Sequence, residues 1–236
     1  MNATTHEAMV AARFDLLHTR FKDKVLDQDY RIQGLLDWLG PLNGLRVLDV
    51  GSGKGRFARE FGERGANVIG LDLSMAMLAE GSGLDRVRGS ARRLPFASAR
   101  FDIVVAVEVL EHISPLVMDA TIKEIRRVLK PDGRLAILDK NAASLNSRRP
   151  WLPNLLVKHI DQRRGLWMYP GDSPVQERWF WPNRFRSRLQ HFFHDVSVLH
   201  LLSPAESQHR IFRMFPQTRC MTLWGAQASG RTLNDV

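Results

Sequence analysis

Glu108, Glu111 and His112 stand in the run EVLEHI, two carboxylates and an imidazole at E-x-x-E-H spacing. Such a group can take a proton from a hydroxyl or amine, hold a divalent cation, or anchor a loop with no part in chemistry. Earlier, VLDVGSGKGRFA sets Asp49 ahead of Gly51, Gly53 and Gly55. Glycine permits positive φ and close backbone approach to a ligand. A second acid, Asp72, ends the apolar run NVIGLDL, where a carboxylate can accept hydrogen bonds from both hydroxyls of a ribose. Together these residues describe a nucleotide-like ligand site. Dinucleotide sites use G-x-G-x-x-G; the spacing here is G-x-G-x-G, with Arg56 in place of the third glycine.

The elements that must position these residues follow from periodicity. RVLDVG (46–51), NVIGLDL (67–73), DRVRGS (85–90), FDIVVAVEV (101–109) and RLAILDK (134–140) read as strands. Helices are expected at 55–65, at 74–81 behind the cap Ser74, and at 114–130 with Ser114 as cap and Pro115 at the first position. The turn KPDG leads into the fifth strand. Five strand–helix alternations with short connections imply a parallel sheet covered on both faces, and right-handed crossovers make it doubly wound. DVSVLHLL and RCMTLWGAQA add two strands, giving a mostly parallel seven-stranded α/β sheet; Cys220 is expected in the last of them. Ahead of the sheet, Met9, Val10, Phe14, Leu17, Phe21 and Val25 predict one amphipathic helix over 5–28, and YRIQGLLDWLG predicts another.

The chain divides into N-terminal helices (1–44), a core (45–141), an insert with its helix (142–190) and the closing strands (191–236). The insert carries Trp151, Trp167, Tyr169, Trp179, Phe180 and Trp181 among prolines, and nine basic residues against three acidic ones. That balance points to an anionic substrate, polymer or membrane surface. The 236 residues carry a formal charge of +9 and a single cysteine. An intrachain disulfide and a cysteine-built metal site are thereby excluded. No apolar run reaches transmembrane length and the first residues lack the pattern of a secretory signal, so a cytoplasmic setting is expected.

VLDVGSGKG, IGLDLS, GSARRLPFASARFDIVVAVEVLEHI and LKPDGRLAILDK, in that order, resemble the successive motifs of class I S-adenosylmethionine-dependent methyltransferases, in the broad group that includes ubiquinone-biosynthesis enzymes. The resemblance covers about residues 45–141. It implies a Rossmann-like methyltransferase fold and S-adenosylmethionine as cofactor. Gly51, Ser52 and Gly53 would pass the methionine portion, with Asp49 orienting the loop or the amino group. Asp72 would bind the ribose and Leu73 the adenine. Where the family pattern is G-D-A-x-x-L-P-F, this chain has Gly89, Ser90, Ala91, so the aspartate that often holds the adenine amino group is replaced by Ser90, and Ala91 offers a backbone N–H. Glu108 would lie beside the methionine moiety or the acceptor. In some relatives an E-x-x-E-H trio holds a divalent metal, while in others the E-H pair only shapes the pocket; no metal is favoured here.

The function expected from the sequence is methyl transfer to a small molecule such as a sugar, glycolipid or secondary metabolite, with oxygen ahead of nitrogen or carbon. His112 and Glu108 are the candidate catalytic residues. The insert is read as a lid, with Trp167, Tyr169, Arg178 and Trp179 contacting an acceptor with an anionic group. A nucleic-acid methyltransferase and a non-catalytic cofactor-binding protein are the alternatives. Against the first, the fourth strand lacks the N/D-P-P-Y/W tetrad of amino-methylating DNA enzymes. A monomer or homodimer is expected.

Overall fold

The computed structural model describes residues 2–26, 28–81 and 84–228. Seven strands form one sheet: β1 Arg46–Val50, β2 Asn67–Asp72, β3 Asp85–Arg88, β4 Phe101–Val107, β5 Leu129–Lys140, β6 Asp195–Leu201 and β7 Met221–Gln227. Their spatial order is β3-β2-β1-β4-β5-β7-β6. β1 to β5 pair in parallel, and β7 runs antiparallel to both β5 and β6. The order reverses between β1 and β4, and a ligand crevice opens beyond the carboxyl ends of strands at such a point.

β4 explains why the sheet is covered on both faces. Ile103 and Val105 pack into one apolar layer with Val47, Phe57, Phe61 and Leu138. Val104 and Ala106 pack into the other with Leu48, Ile122, Ile125 and Leu135. Each such buried aliphatic side chain contributes roughly 1.5–3 kcal/mol. The first layer is closed by α2 (Tyr30–Leu39) and α3 (Arg56–Glu63), the second by α5 (Met118–Val128) and α7 (Pro182–Leu189). The remaining helices are α1 (Ala3–Leu17), α4 (Met75–Glu80), α6 (Asn154–Arg163) and α8 (Arg210–Met214).

Four expectations shift. The first helix stops at Leu17 in a 3-10 turn, His18–Arg20, and Phe21 becomes extended, its N–H bonded to the His18 carbonyl. The apolar spacing runs on because Phe21 turns inward beside Phe14, with ring centroids 5.5 Å apart. Pro115 opens a short 3-10 turn, and α5 proper spans Met118–Val128. Leu129 is already extended and pairs with Phe101; the residues of KPDG form the register break before Ile103 meets Arg134. Cys220 lies half-buried just ahead of β7, outside the strand.

Candidate active site

A cleft lies over the carboxyl ends of β1, β2 and β4 and encloses about 1310 Å³ of unfilled space, its mouth included. One end is built by the glycine loop. Gly51 has φ +70, and a Cβ there would lie 2.2 Å from a Val109 methyl. Gly53 has φ +54, a conformation branched residues rarely adopt. The loop is tied to β2: the N–H groups of Gly51 and Ser52 donate to the Leu71 carbonyl at 2.6 and 3.0 Å. Asp72 completes the tie, one carboxylate oxygen accepting from Gly53 N–H and the other from Ser74 N–H, both at 2.8 Å. Each oxygen keeps a second lone pair for a ligand hydroxyl. Ser52 Oγ is buried on the cleft wall with no protein partner. Burial, then the neighbouring Asp72 charge, pushes the Asp49 carboxyl up to about 7. Positive-φ glycines, a carboxylate with free lone pairs and an unpartnered hydroxyl fit S-adenosylmethionine.

Leu73 and Ala91 line the cleft as expected, but Ser90 does not. Its hydroxyl donates to Glu7 Oε1 at 2.5 Å, and Arg92 Nη2 donates to Glu7 Oε2 at 3.1 Å. Glu7 itself faces the cleft. A carboxylate from α1 thus stands in front of the position where the resemblance implies an aspartate. No local signal could have found it, because Glu7 and Ser90 lie 83 residues apart.

The other end is a buried charge network. Glu108 closes β4 with φ +55, a strained value for a residue with a side chain. It is held by Arg31 at 2.7 Å, Arg56 at 3.2 Å and Lys140 at 3.5 Å. Burial works against its charge, but Lys140, Arg31 and Arg56 outweigh it and hold Glu108 below the usual carboxylate range. Lys140 also pairs with Glu111 and, at 3.3 Å, with Glu177. Burial opposes the Lys140 charge, yet the surrounding carboxylates keep its pKa well above the ordinary value. Burial, reinforced by Glu177 and Glu108, pushes Glu111 up to about 8 against the pull of Lys140. Its Oε2 has no partner. Asp139, at the end of β5, is wholly buried and does not line the cleft, its Oδ2 accepting from Leu110 N–H.

His112 is buried on the cleft wall with both ring nitrogens engaged. Nδ1 meets the Tyr169 hydroxyl at 3.2 Å and Nε2 faces Glu111 Oε1 at 3.5 Å. Burial pushes its pKa down to about 4, so the ring stays neutral. The two carboxylates of the E-x-x-E-H trio therefore pair with a protein cation, Lys140. Among the described residues no group of three His, Cys, Asp or Glu side chains is arranged to hold a metal ion.

The four insert residues expected to touch an acceptor do not line the cleft. Tyr169 packs with Val10 and Val175 behind His112. Trp167 and Trp179 donate their indole N–H groups to the two oxygens of Glu177, at 3.1 and 2.5 Å. Arg178 has an exposed side chain, and only its backbone N–H reaches Glu111 O. From the insert, Met168 alone reaches the cleft, its carbonyl held by Arg13 Nε at 2.7 Å. Phe14, Phe21, Val109, Ile113 and Val117 complete an apolar wall.

Residues 48–137 match the family model described as a methyltransferase domain. The chain is 36% identical over 148 residues to a demethylmenaquinone methyltransferase of Beutenbergia cavernae, covering 61% of this chain and 58% of that protein. It is 34% identical over 144 residues to a ubiquinone/menaquinone biosynthesis C-methyltransferase of Cereibacter sphaeroides, covering 55% of each. The chain thus spans little more than half the length of these curated relatives. Among solved structures, an S-adenosylmethionine-dependent methyltransferase from Mesorhizobium loti superposes with a TM-score of 0.66 at 20% identity, over 86% of this chain and 100% of that one. The fold also serves other chemistry: the [4+2]-cyclase SpnF shares it with a TM-score of 0.64 at 17% identity, over 94% of this chain and 97% of that one. With the motif order, the glycine loop, Asp72 and these likenesses in agreement, residues 48–137 carry a methyltransferase domain of the class I S-adenosylmethionine-dependent type.

Proposed function

We propose that this chain transfers the methyl group of S-adenosylmethionine to a ring carbon of a small, largely apolar acceptor bearing a ring hydroxyl, with Glu111 as the proton acceptor. The observation that carries this reading is the meeting of an apolar wall with one buried, unpartnered carboxyl oxygen, Glu111 Oε2, on a residue that lines the cleft. When bound, the cofactor supplies a methyl on a positively charged sulfur that leaves as a neutral thioether. The protein must hold the acceptor in line, about 3 Å away, and exclude water. Phe14, Phe21, Val117 and Met168 would supply the dry wall. Glu111 would accept the hydroxyl proton, and the electron density released spreads to the ring carbons ortho and para to the oxygen; the carbon that takes the methyl would then lose its own hydrogen as a proton, which restores the aromatic ring. His112, neutral and held by Tyr169, would position Glu111. Glu7 would face the adenine end, with Ser90 and Arg92 holding its carboxylate.

Carbon is placed ahead of the oxygen expected from the sequence because one relative is named a demethylmenaquinone methyltransferase and the other a ubiquinone/menaquinone biosynthesis C-methyltransferase. A sugar or anionic acceptor loses its support, since the exposed Arg178 side chain does not line the cleft and Lys140 is already surrounded by carboxylates. The test is incubation with methyl-labelled cofactor and a panel of hydroquinones, phenols and sugars, with products read by mass spectrometry. A carbon-methylated hydroquinone is expected. An O-methyl ether would return the reading to oxygen. Cofactor binding without any product across the panel would leave the non-catalytic alternative standing.

A further inference from the structure

We infer that the outer face of α6 and its flanking turns docks on an anionic lipid bilayer surface. The rotation of α6 is fixed from inside, where Lys158 is buried and its ammonium donates to the Glu177 carbonyl at 2.9 Å. Leu156, His159, Ile160 and Arg163 therefore form the outward stripe, at the spacing that shares one helix face. Leu156 is 47% exposed and Ile160 41%. Trp151 before the helix is 74% exposed and Leu166 after it 71%. Large apolar side chains gathered on one short segment mark an interaction surface.

The charge on the same segment names the partner. Arg148, Arg149, Arg163 and Arg164 are all exposed, and among the described residues none forms an ion pair within the chain. Asp161 is the one acid in residues 148–166. Arginines flanking a tryptophan and aliphatic stripe suit a headgroup layer, where apolar side chains sink below the phosphates and guanidinium groups pair with them. A second copy docked through this face would set arginines against arginines. A nucleic acid would use the arginines but leave Leu156, Ile160 and Leu166 in water. No helix among the described residues is long and apolar enough to cross a membrane, so the contact is peripheral. Met168, two residues beyond Leu166, lines the cleft, so one segment joins the docking face to the place where an apolar acceptor would enter.

The test is co-sedimentation of the full chain with vesicles of phosphatidylcholine alone and of phosphatidylcholine with a quarter phosphatidylglycerol, at physiological salt. Expected is binding to the anionic vesicles only, with a blue shift in tryptophan emission that Trp151→Phe removes. Replacing the four arginines by glutamine should lower partitioning roughly 100- to 1000-fold, at about a factor of five per residue. The triple variant Trp151→Ser, Leu156→Ser, Ile160→Ser should lower it at least tenfold. Both variants should keep the melting temperature and the S-adenosylhomocysteine affinity of the parent, so the outcome is separate from that of the catalytic reading. Absence of binding to anionic vesicles would overturn the inference. So would full binding by the serine variant, which would show adsorption through net charge alone. Release of bound protein by duplex DNA, or a dimer in sedimentation that the serine variant dissociates, would assign the face to another partner and overturn it as well.

Discussion

Lys140 organises the charged wall of the cleft, because Glu108, Glu111 and Glu177 can share that space only around a fixed cation. Glu111 is the member left with a free oxygen, and its raised pKa gives a direct test. A base must be ionised to accept a proton. The rate should therefore climb with pH and level off at about 8, and Glu111→Gln should lower kcat by roughly 100-fold or more and remove that limb. Stability should move the other way. Between the ordinary value of 4.5 and about 8 the folded chain holds a proton that the unfolded chain has released, so this group's contribution falls as pH rises across that window. At the other end, Asp72→Asn should raise the dissociation constant for S-adenosylhomocysteine by roughly tenfold or more, read by calorimetry. Both carboxylate oxygens already accept backbone N–H groups, and an amide can satisfy one of them only.

At the scale of elements, α1 behaves as a clamp on the cleft rather than as a surface helix. His6 Nε2 donates to the His112 carbonyl at 2.8 Å, Glu7 holds Ser90 and Arg92, and Asp15 accepts from Ser74 Oγ and, at 3.1 Å, from Ala76 N–H at the start of α4. Asp15→Ala should raise hydrogen exchange across residues 3–17 and weaken S-adenosylhomocysteine binding, while exchange in β4 stays slow. The insert makes a different prediction from the one its aromatics suggest. Trp179→Phe deletes a donor to Glu177 and should shift the pH profile, whereas Arg178→Ala, an exposed change, should leave the acceptor KM and the melting temperature within error. The glycine loop, the acid at the end of β2 and the alternation of strands and helices were readable in the sequence because each is set by residues adjacent in the chain. The Glu7–Ser90 contact, the Trp167 and Trp179 grip on Glu177 and the inward turn of Phe21 were not. Each joins segments that no local pattern relates, and tertiary packing overrode the helical spacing that ran on past Leu17.

Over the whole molecule, one sheet with a reversal between β1 and β4 places the glycine loop, Asp72 and the carboxylates around Lys140 at a single cleft, closed by the N-terminal helix on one side and touched by the insert through Met168. The fold alone leaves the reaction open, since the same architecture is found in a [4+2]-cyclase. Three residues of the site region lie outside the family match: Glu7 on α1, and Met168 and Glu177 in the insert. The central claim is that the cleft is an S-adenosylmethionine site read by Asp72 and Glu7. The most direct measurement is calorimetric titration of the full chain and of its Asp72→Ala and Glu7→Ala variants with S-adenosylhomocysteine and, separately, with NAD. The expected result is saturable one-to-one binding of S-adenosylhomocysteine to the parent, at least tenfold weaker binding to each variant, and no heat from NAD. Binding of NAD, or equal S-adenosylhomocysteine affinity in all three proteins, would contradict it.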